Sequence, residues 1–196
     1  MNILLVNNDS DTWEELQRVV NAAGHKVTTV HHEQIHNVHS EHYDLAILSG
    51  GWWYTDYVDL LNEYADELQF IMMNPIPILG ICIGMQLMHV ALNQAVPVMD
   101  DPQSGLREIS VNDAGRELTG FPARMTVHKN HTRAIYETDP HFEILATSDH
   151  NFTEMMRHRS KPLLGVQFHP EVGETQDCVK VMRSLIDALL SMKKTN

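Results

Sequence analysis

Pro75-Ile-Pro-Ile-Leu79 runs directly into Gly80-Ile-Cys82-Ile-Gly84-Met-Gln86: an apolar strand that ends at a cysteine between glycines and passes at once into a helix-forming segment, Met85 to Asn93. Flanking glycines let the backbone take a sharp strand-to-helix turn that a Cβ would obstruct, so the residue between them projects from the sheet edge into a cleft. The helix N-terminus behind it favours negative charge on the sulfur. On this stretch alone two readings of Cys82 stand open. It is a nucleophile, or it is one of the small buried hydrophobes that free cysteines often are.

Working outward, Ile3 to Val6 reads as a buried strand, and Ser10-Asp11-Thr12 offers caps for a helix carrying Trp13, Leu16, Val19, Val20 and Ala23. Gly24 ends that helix. Lys26 to Val30, Asp44 to Leu48 and Ile76 to Ile81 read as strands, with a helix over about Asp56 to Met72. This alternation predicts an α/β fold with an open, mostly parallel, flavodoxin-like sheet covered by helices on both faces, with ligands at the carboxyl ends of the strands. After Pro97 the pattern changes to short pieces at Leu106–Val111, Ala123–Val127, Phe142–Ser148 and Leu163–Phe168, which predict a small antiparallel or mixed addition in the C-terminal half. A last helix, Gln176 to Met192, stacks Val179, Met182, Leu185, Ile186, Leu189 and Leu190 on one side.

The chain has 196 residues with 43% hydrophobic content, which suits one domain over 1–196. A net charge of -12, from 14 basic against 26 acidic residues, argues against a nucleic-acid-binding surface. Cys82 and Cys178 supply no disulfide framework, and a reducing, cytoplasmic setting is expected. The apolar run Met1 to Val6 is too short for a signal peptide or a membrane span. His25, His31, His32, His36, His39 and His42 invite a metal reading. It is set aside, and no metal is expected, because cysteine and carboxylate companions at ligand spacing are missing; a solvated surface is the simpler account.

A thiol nucleophile needs a base, and the base needs an orienting partner. Gly165-Val-Gln-Phe-His169-Pro-Glu171 places an imidazole and a carboxylate two residues apart, a spacing that puts both on one side of an extended segment. His169 ends an apolar strand, as Cys82 does, so both can meet at one sheet edge.

Together these residues resemble the class I, triad-type glutamine amidotransferases, marked by a Gly-x-Cys-x-Gly-x-Gln elbow and a Gly-Val-Gln-Phe-His-Pro-Glu segment. The resemblance extends over nearly the whole chain and includes the Leu48-Ser-Gly-Gly51 loop. It implies that Cys82 attacks the side-chain amide of glutamine to form a glutamyl thioester, that His169 moves protons, and that Glu171 orients His169. It assigns the oxyanion hole to the amides of Gly51 and Ile83. Gln86, with Gly50, is implied as a substrate contact, against the plainer reading that it caps the sheet edge. Phe142–Asp149 and Met156–Pro162 look most like the glutaminase subunit of guanosine monophosphate synthetase. Val127-His128-Lys129-Asn130-His131 resembles a Ser-His-Gly/Lys-Asp stretch of those enzymes, with Val127 and Asn130 as departures; His128 lines the glutamine pocket, marks a docking site, or is structural.

Trp52-Trp53-Tyr54 replaces the usual proline after the paired glycines and forms a lid, a docking surface or simple packing. Asn93-Gln94-Ala95 replaces a glycine pair, so that turn must be built differently. An amidotransferase also needs an acceptor, yet the sequence has no Gly-x-x-x-x-Gly-Lys-Ser/Thr loop and few residues follow Glu171. The expectation is therefore that this chain needs no cofactor of its own, that ATP and magnesium belong to a separate synthetase partner, and that the partner receives the ammonia. The alternatives are a stand-alone γ-glutamyl amide or peptide hydrolase with the same residues, or a non-catalytic regulatory module.

Overall fold

The computed structural model describes residues 1–52, 56–73, 75–149 and 152–192. In chain order the elements are β1 (Asn2–Asn8), α1 (Trp13–Ala22), β2 (Lys26–His31), β3 (Leu45–Gly51), α2 (Tyr57–Glu63), α3 (Ala65–Met73), β4 (Ile78–Ile81), α4 (Ile83–Val90), β5 (Val98–Val111), α5 (Asp113–Thr119), β6 (Arg124–Arg133), β7 (Phe142–Thr147), β8 (Thr153–His158), β9 (Leu163–Val166) and α6 (Thr175–Met192). Short 3-10 turns at His32–Asn37 and Ser40–His42 lie between β2 and β3.

The strands form a 9-stranded mixed sheet in the order β2-β1-β3-β4-β9-β8-β7-β5-β6. Strands β2 through β9 in that order are parallel, and from β9 onward every pairing is antiparallel. The α/β expectation holds. One assignment is corrected: Leu163–Val166 belongs to the parallel half as the partner of β4, with β8 antiparallel on its other side. The antiparallel part is a continuation of the same sheet that includes β8, a strand the residue pattern did not reveal.

Alternation within strands explains the two layers. Ile3 and Leu5 of β1, with Leu45 and Ile47 of β3, join the core beneath α1 and α6, whereas Leu4, Val6, Ala46 and Leu48 join the core beneath α3 and α4. Strands apolar at every position are what a sheet covered on both faces requires. The C-terminal helix buries Met182, Leu185, Ile186 and Leu189 of the expected stripe, while Val179 and Leu190 pack at its margin, half-buried.

Two local expectations change, and a third is met. The helix expected over 56–72 divides at Tyr64, which is buried and stacked on His32 with ring centroids 4.6 Å apart. Thr12 occupies the N-cap of α1 but makes no cap hydrogen bond, because its hydroxyl donates elsewhere. The turn after α4 is closed by Asn93 at φ 59°, a left-handed conformation that asparagine tolerates in place of glycine.

Candidate active site

Cys82 sits between β4 and α4 with φ 51° and ψ -108°, a strained conformation for a residue with a Cβ. The turn exists because Gly80 and Gly84, two residues to either side, lack side chains. A Cβ on Gly80 would lie 2.6 Å from the Gly84 carbonyl carbon, and one on Gly84 would lie 2.5 Å from the Leu48 oxygen. The Cys82 amide donates to the Val166 carbonyl at 2.8 Å, which pins the elbow to β9. The helix begins at Ile83, closer to the cysteine than expected, so its positive end abuts the sulfur.

His169 follows β9, and its amide donates to the His128 carbonyl on β6 at 2.9 Å. The antiparallel half therefore curls back, and the far strand of the sheet reaches the edge where Cys82 lies. Imidazole Nδ1 bonds Glu171 Oε1 at 2.8 Å, and Thr12 Oγ1 donates to the same oxygen at 2.6 Å. The other carboxylate oxygen and His169 Nε2 are buried without a hydrogen-bond partner among the described residues, which leaves Nε2 as the nitrogen able to exchange a proton in the cleft. Burial alone pushes the His169 pKa down; the charge of the nearby Cys82 sulfur, reinforced by the Glu171 hydrogen bond and charge, outweighs it and holds the pKa well above the usual range.

Gly50 and Gly51 turn out to be packing requirements. A Cβ on Gly50 would stand 2.8 Å from His169 Cε1, and one on Gly51 would stand 2.0 Å from the Asn8 carbonyl oxygen. A buried network holds this loop from behind: the Asn8 amide donates to Ser49 Oγ at 2.9 Å, Ser49 Oγ to the Gly50 carbonyl at 2.7 Å, and Asn8 Nδ2 to Glu67 Oε1 at 3.1 Å. Burial raises Glu67 to about 8 from 4.5, so the native state keeps a proton that the unfolded chain releases, and this group's effect on stability grows less favourable as pH rises through that interval. Glu67→Gln, which still accepts from Asn8, should gain stability over the parent as pH rises, by on the order of 3 kcal/mol near pH 8. Urea unfolding at about pH 5 and about pH 8 checks this; an equal difference at both contradicts it.

Gly51, Ile83 and Gln86 line a narrow cleft around Cys82, and His128 and His169 line a neighbouring one. Trp52 and Asn130 line both, and Trp52 Nε1 donates to Asp11 Oδ2 at 3.0 Å. Trp53 and Tyr54 lie outside the described residues. The His128 ring meets His169 edge-on at 6.4 Å, and burial followed by the His169 charge pushes its pKa down.

Three contributors escaped the residue pattern. Thr12 read as a helix cap. His131 faces the Cys82 cleft, and its pKa falls to about 4 through burial first and the Lys129 charge second. Gln167, fully buried, donates Nε2 to the Cys82 sulfur at 3.6 Å and accepts from Gln86 Nε2 at 3.0 Å, while Gln86 also donates to the Arg133 carbonyl at 3.1 Å. The signal for Gln167 was present, since it is two residues before His169 in the same extended segment. A hydrogen bond to a charged group contributes roughly 1.5–3 kcal/mol. Gln167→Leu should therefore slow alkylation of Cys82 by iodoacetamide about 10- to 100-fold with circular dichroism unchanged; an unaltered rate removes Gln167 from the site.

The match to known proteins now bears on this geometry. Residues 4–188 match the family model described as glutamine amidotransferase class-I. The chain belongs to that family. A subunit of the glutamine-hydrolysing GMP synthase from Sulfurisphaera tokodaii is 30% identical over 146 residues, covering 74% of this chain and 77% of the relative. The subunit of the same name from Methanothermobacter thermautotrophicus is 33% identical over 131 residues, 67% of this chain and 70% of the relative. Among solved structures, a putative GMP synthase subunit from Thermoplasma acidophilum superposes with a TM-score of 0.85 at 26% identity, covering 99% of this chain and 96% of that one. A glutamine amidotransferase from Thermotoga maritima shares the fold, with a TM-score of 0.76 at 18% identity and coverage of 100% and 99%. The class I amidotransferase fold thus accounts for the elbow, the curled sheet and the shared edge. No helix among the described residues is long and apolar enough to cross a membrane.

Proposed function

We propose that this amidotransferase hydrolyses the side-chain amide of glutamine through a glutamyl thioester on Cys82 and passes the ammonia to a separate synthetase subunit, in the synthesis of GMP. The observation that carries the chemistry is the arrangement of Cys82 on its strained elbow, coupled to a His169 imidazole whose other nitrogen Glu171 holds at 2.8 Å. The anionic sulfur attacks the amide carbon, and the carbonyl oxygen takes up negative charge beside the amides of Gly51 and Ile83, where each donor supplies on the order of 3 kcal/mol. His169, protonated at Nε2, gives its proton to the departing nitrogen, and ammonia leaves. Water then adds to the thioester as His169 takes up its proton, and glutamate departs with the sulfur restored. Gln86, at the wall of the same cleft, is the proposed contact to substrate glutamine.

Ammonia transfer and GMP rest on the names of the relatives, each a subunit of a glutamine-hydrolysing GMP synthase. The acceptor, ATP and magnesium then belong to the second subunit. The test is purification of the chain with that synthetase partner and supply of glutamine labelled with nitrogen-15 in its amide. Label in GMP, with glutaminase activity weak in the free chain and stimulated by the complex, is the expected result. Full activity without a partner and no labelled nucleotide overturns it in favour of a stand-alone γ-glutamyl hydrolase.

A further inference from the structure

A cluster outside the active site brings together residues far apart in the chain. Asp9 follows β1 directly and holds φ 59°, a left-handed conformation that turns its carboxylate toward the end of β2. Strands β1 and β2 are paired in parallel with Asn7 opposite His31, so Asp9 stands beside His31 and His32. Asp9 Oδ1 lies 3.0 Å from His31 Nε2, and Asp9 Oδ2 lies 3.7 Å from His32 Nε2. One ligand atom from each of the three residues falls within 4.8 Å of the others. A carboxylate at ligand distance from both imidazoles is supplied by tertiary structure, and His32, expected on a solvated surface, is 3% exposed.

We propose that Asp9, His31 and His32 bind one divalent transition-metal ion of the zinc class at the carboxyl edge of β1 and β2. Bonds of about 2.0–2.1 Å in tetrahedral geometry place neighbouring donor atoms roughly 3.3 Å apart; each imidazole nitrogen stands near that distance from one oxygen of the Asp9 carboxylate, 3.0 Å from Oδ1 and 3.7 Å from Oδ2, and small side-chain rotations bring one oxygen to both. Two imidazoles and a carboxylate suit zinc and cobalt better than magnesium or calcium. A plain His31–Asp9 hydrogen bond explains His31 but leaves His32 unexplained. The His32 ring is fixed by stacking on Tyr64, its Nδ1 has no hydrogen-bond partner among the described residues, and its Nε2 is too far from Asp9 to hydrogen-bond. Metal at Nε2 gives this buried ring a bond on the Asp9 side that the 3.7 Å separation does not. His31 Nδ1 accepts from the Glu33 backbone amide at 3.4 Å, and the Glu33 carboxylate lies 3.5 Å away; metal at Nε2 moves the ring proton to Nδ1 and exchanges the first contact for the second. The Asp9 side chain is 64% exposed, so ions and a completing water reach the site from solvent.

The ion has a structural role here. Ser10, the next residue, accepts from the Thr12 amide at 3.2 Å, and Thr12 holds Glu171. Metal at Asp9 braces the loop that positions this carboxylate without touching the Cys82 cleft.

The test uses the full chain without a purification tag and cobalt(II) as the probe. Expected are one equivalent bound with the visible bands of a tetrahedral nitrogen and oxygen site, displacement by zinc, and zinc-dependent thermal stabilisation. Asp9→Ala and His31→Ala should each weaken binding at least tenfold, while His36→Ala, in a separate pair with Asp66, leaves it unchanged. Asp9→Asn repeats the comparison with nearly the parent's volume should either alanine variant fail to fold. Absence of stoichiometric binding, affinity unaltered in the Asp9 and His31 variants, or a thiolate-to-cobalt charge-transfer band each overturns the site. Metal binding is read independently of glutamine hydrolysis, so neither result stands or falls with the other.

Discussion

Cys82→Ala is expected to lower kcat for glutamine hydrolysis by at least about 10³-fold while the fold survives. The size follows from the absence of a substitute: Cys178, the other thiol, is buried on α6, where burial foremost, and then the charge of Glu171, raises its pKa. A backbone able to hold φ 51° with a cysteine holds it with alanine at similar strain, so the elbow remains and loss of rate reports lost chemistry. The reading also requires that acid-quenched parent enzyme carry a glutamyl group on the peptide containing Cys82, and that the variant carry none. Hydrolysis by the alanine variant at the parent rate removes Cys82 from the mechanism.

Glu171→Gln is expected to cost about 10²- to 10⁴-fold in kcat, by analogy with the loss of the orienting carboxylate from other triads. Glu171 Oε1 meets both His169 Nδ1 and the Thr12 hydroxyl, so an amide placed there competes for the wrong imidazole tautomer. The pH profile carries a second signature. Glu171 contributes to the raised pKa of His169, so its removal lowers that pKa and moves the alkaline limb of kcat toward lower pH. The same linkage acts on stability: a raised histidine pKa stabilises the fold fully below the unfolded value near 6.5, and that contribution is lost as pH rises through the folded value. The variant should therefore lose its share of this stabilisation at neutral pH. A kcat profile displaced only in height, with both limbs in place, shows that Glu171 acts on structure alone.

The parallel half of the fold was legible because its inner strands carry continuous apolar runs, Ile3–Val6 of β1 and Leu45–Leu48 of β3, separated by helical spacing. The elbow was legible because only glycine fits at positions 80 and 84, where backbone lies within 2.6 Å of a would-be Cβ. The antiparallel half was less so: β5 and β6 carry many polar residues, and β8 buries Thr153 and Glu154, which disguises a core strand. Glu154 is buried there because it pairs with the buried Lys129 of β6, a contact no single segment announces.

Local sequence alone set the chemistry available at each place: a cysteine at a turn only glycine permits, and an imidazole and a carboxylate on one side of an extended segment. The tertiary fold settled what those groups meet. It curled the sheet so that β6 reaches β9, set Gln167 on the sulfur, took Thr12 from its helix cap to Glu171, and carried Asp9 to two histidines. Periodicity and glycine sterics are local and can be read along the chain; hydrogen bonds between strands distant in sequence depend on register and curvature, which no short stretch encodes.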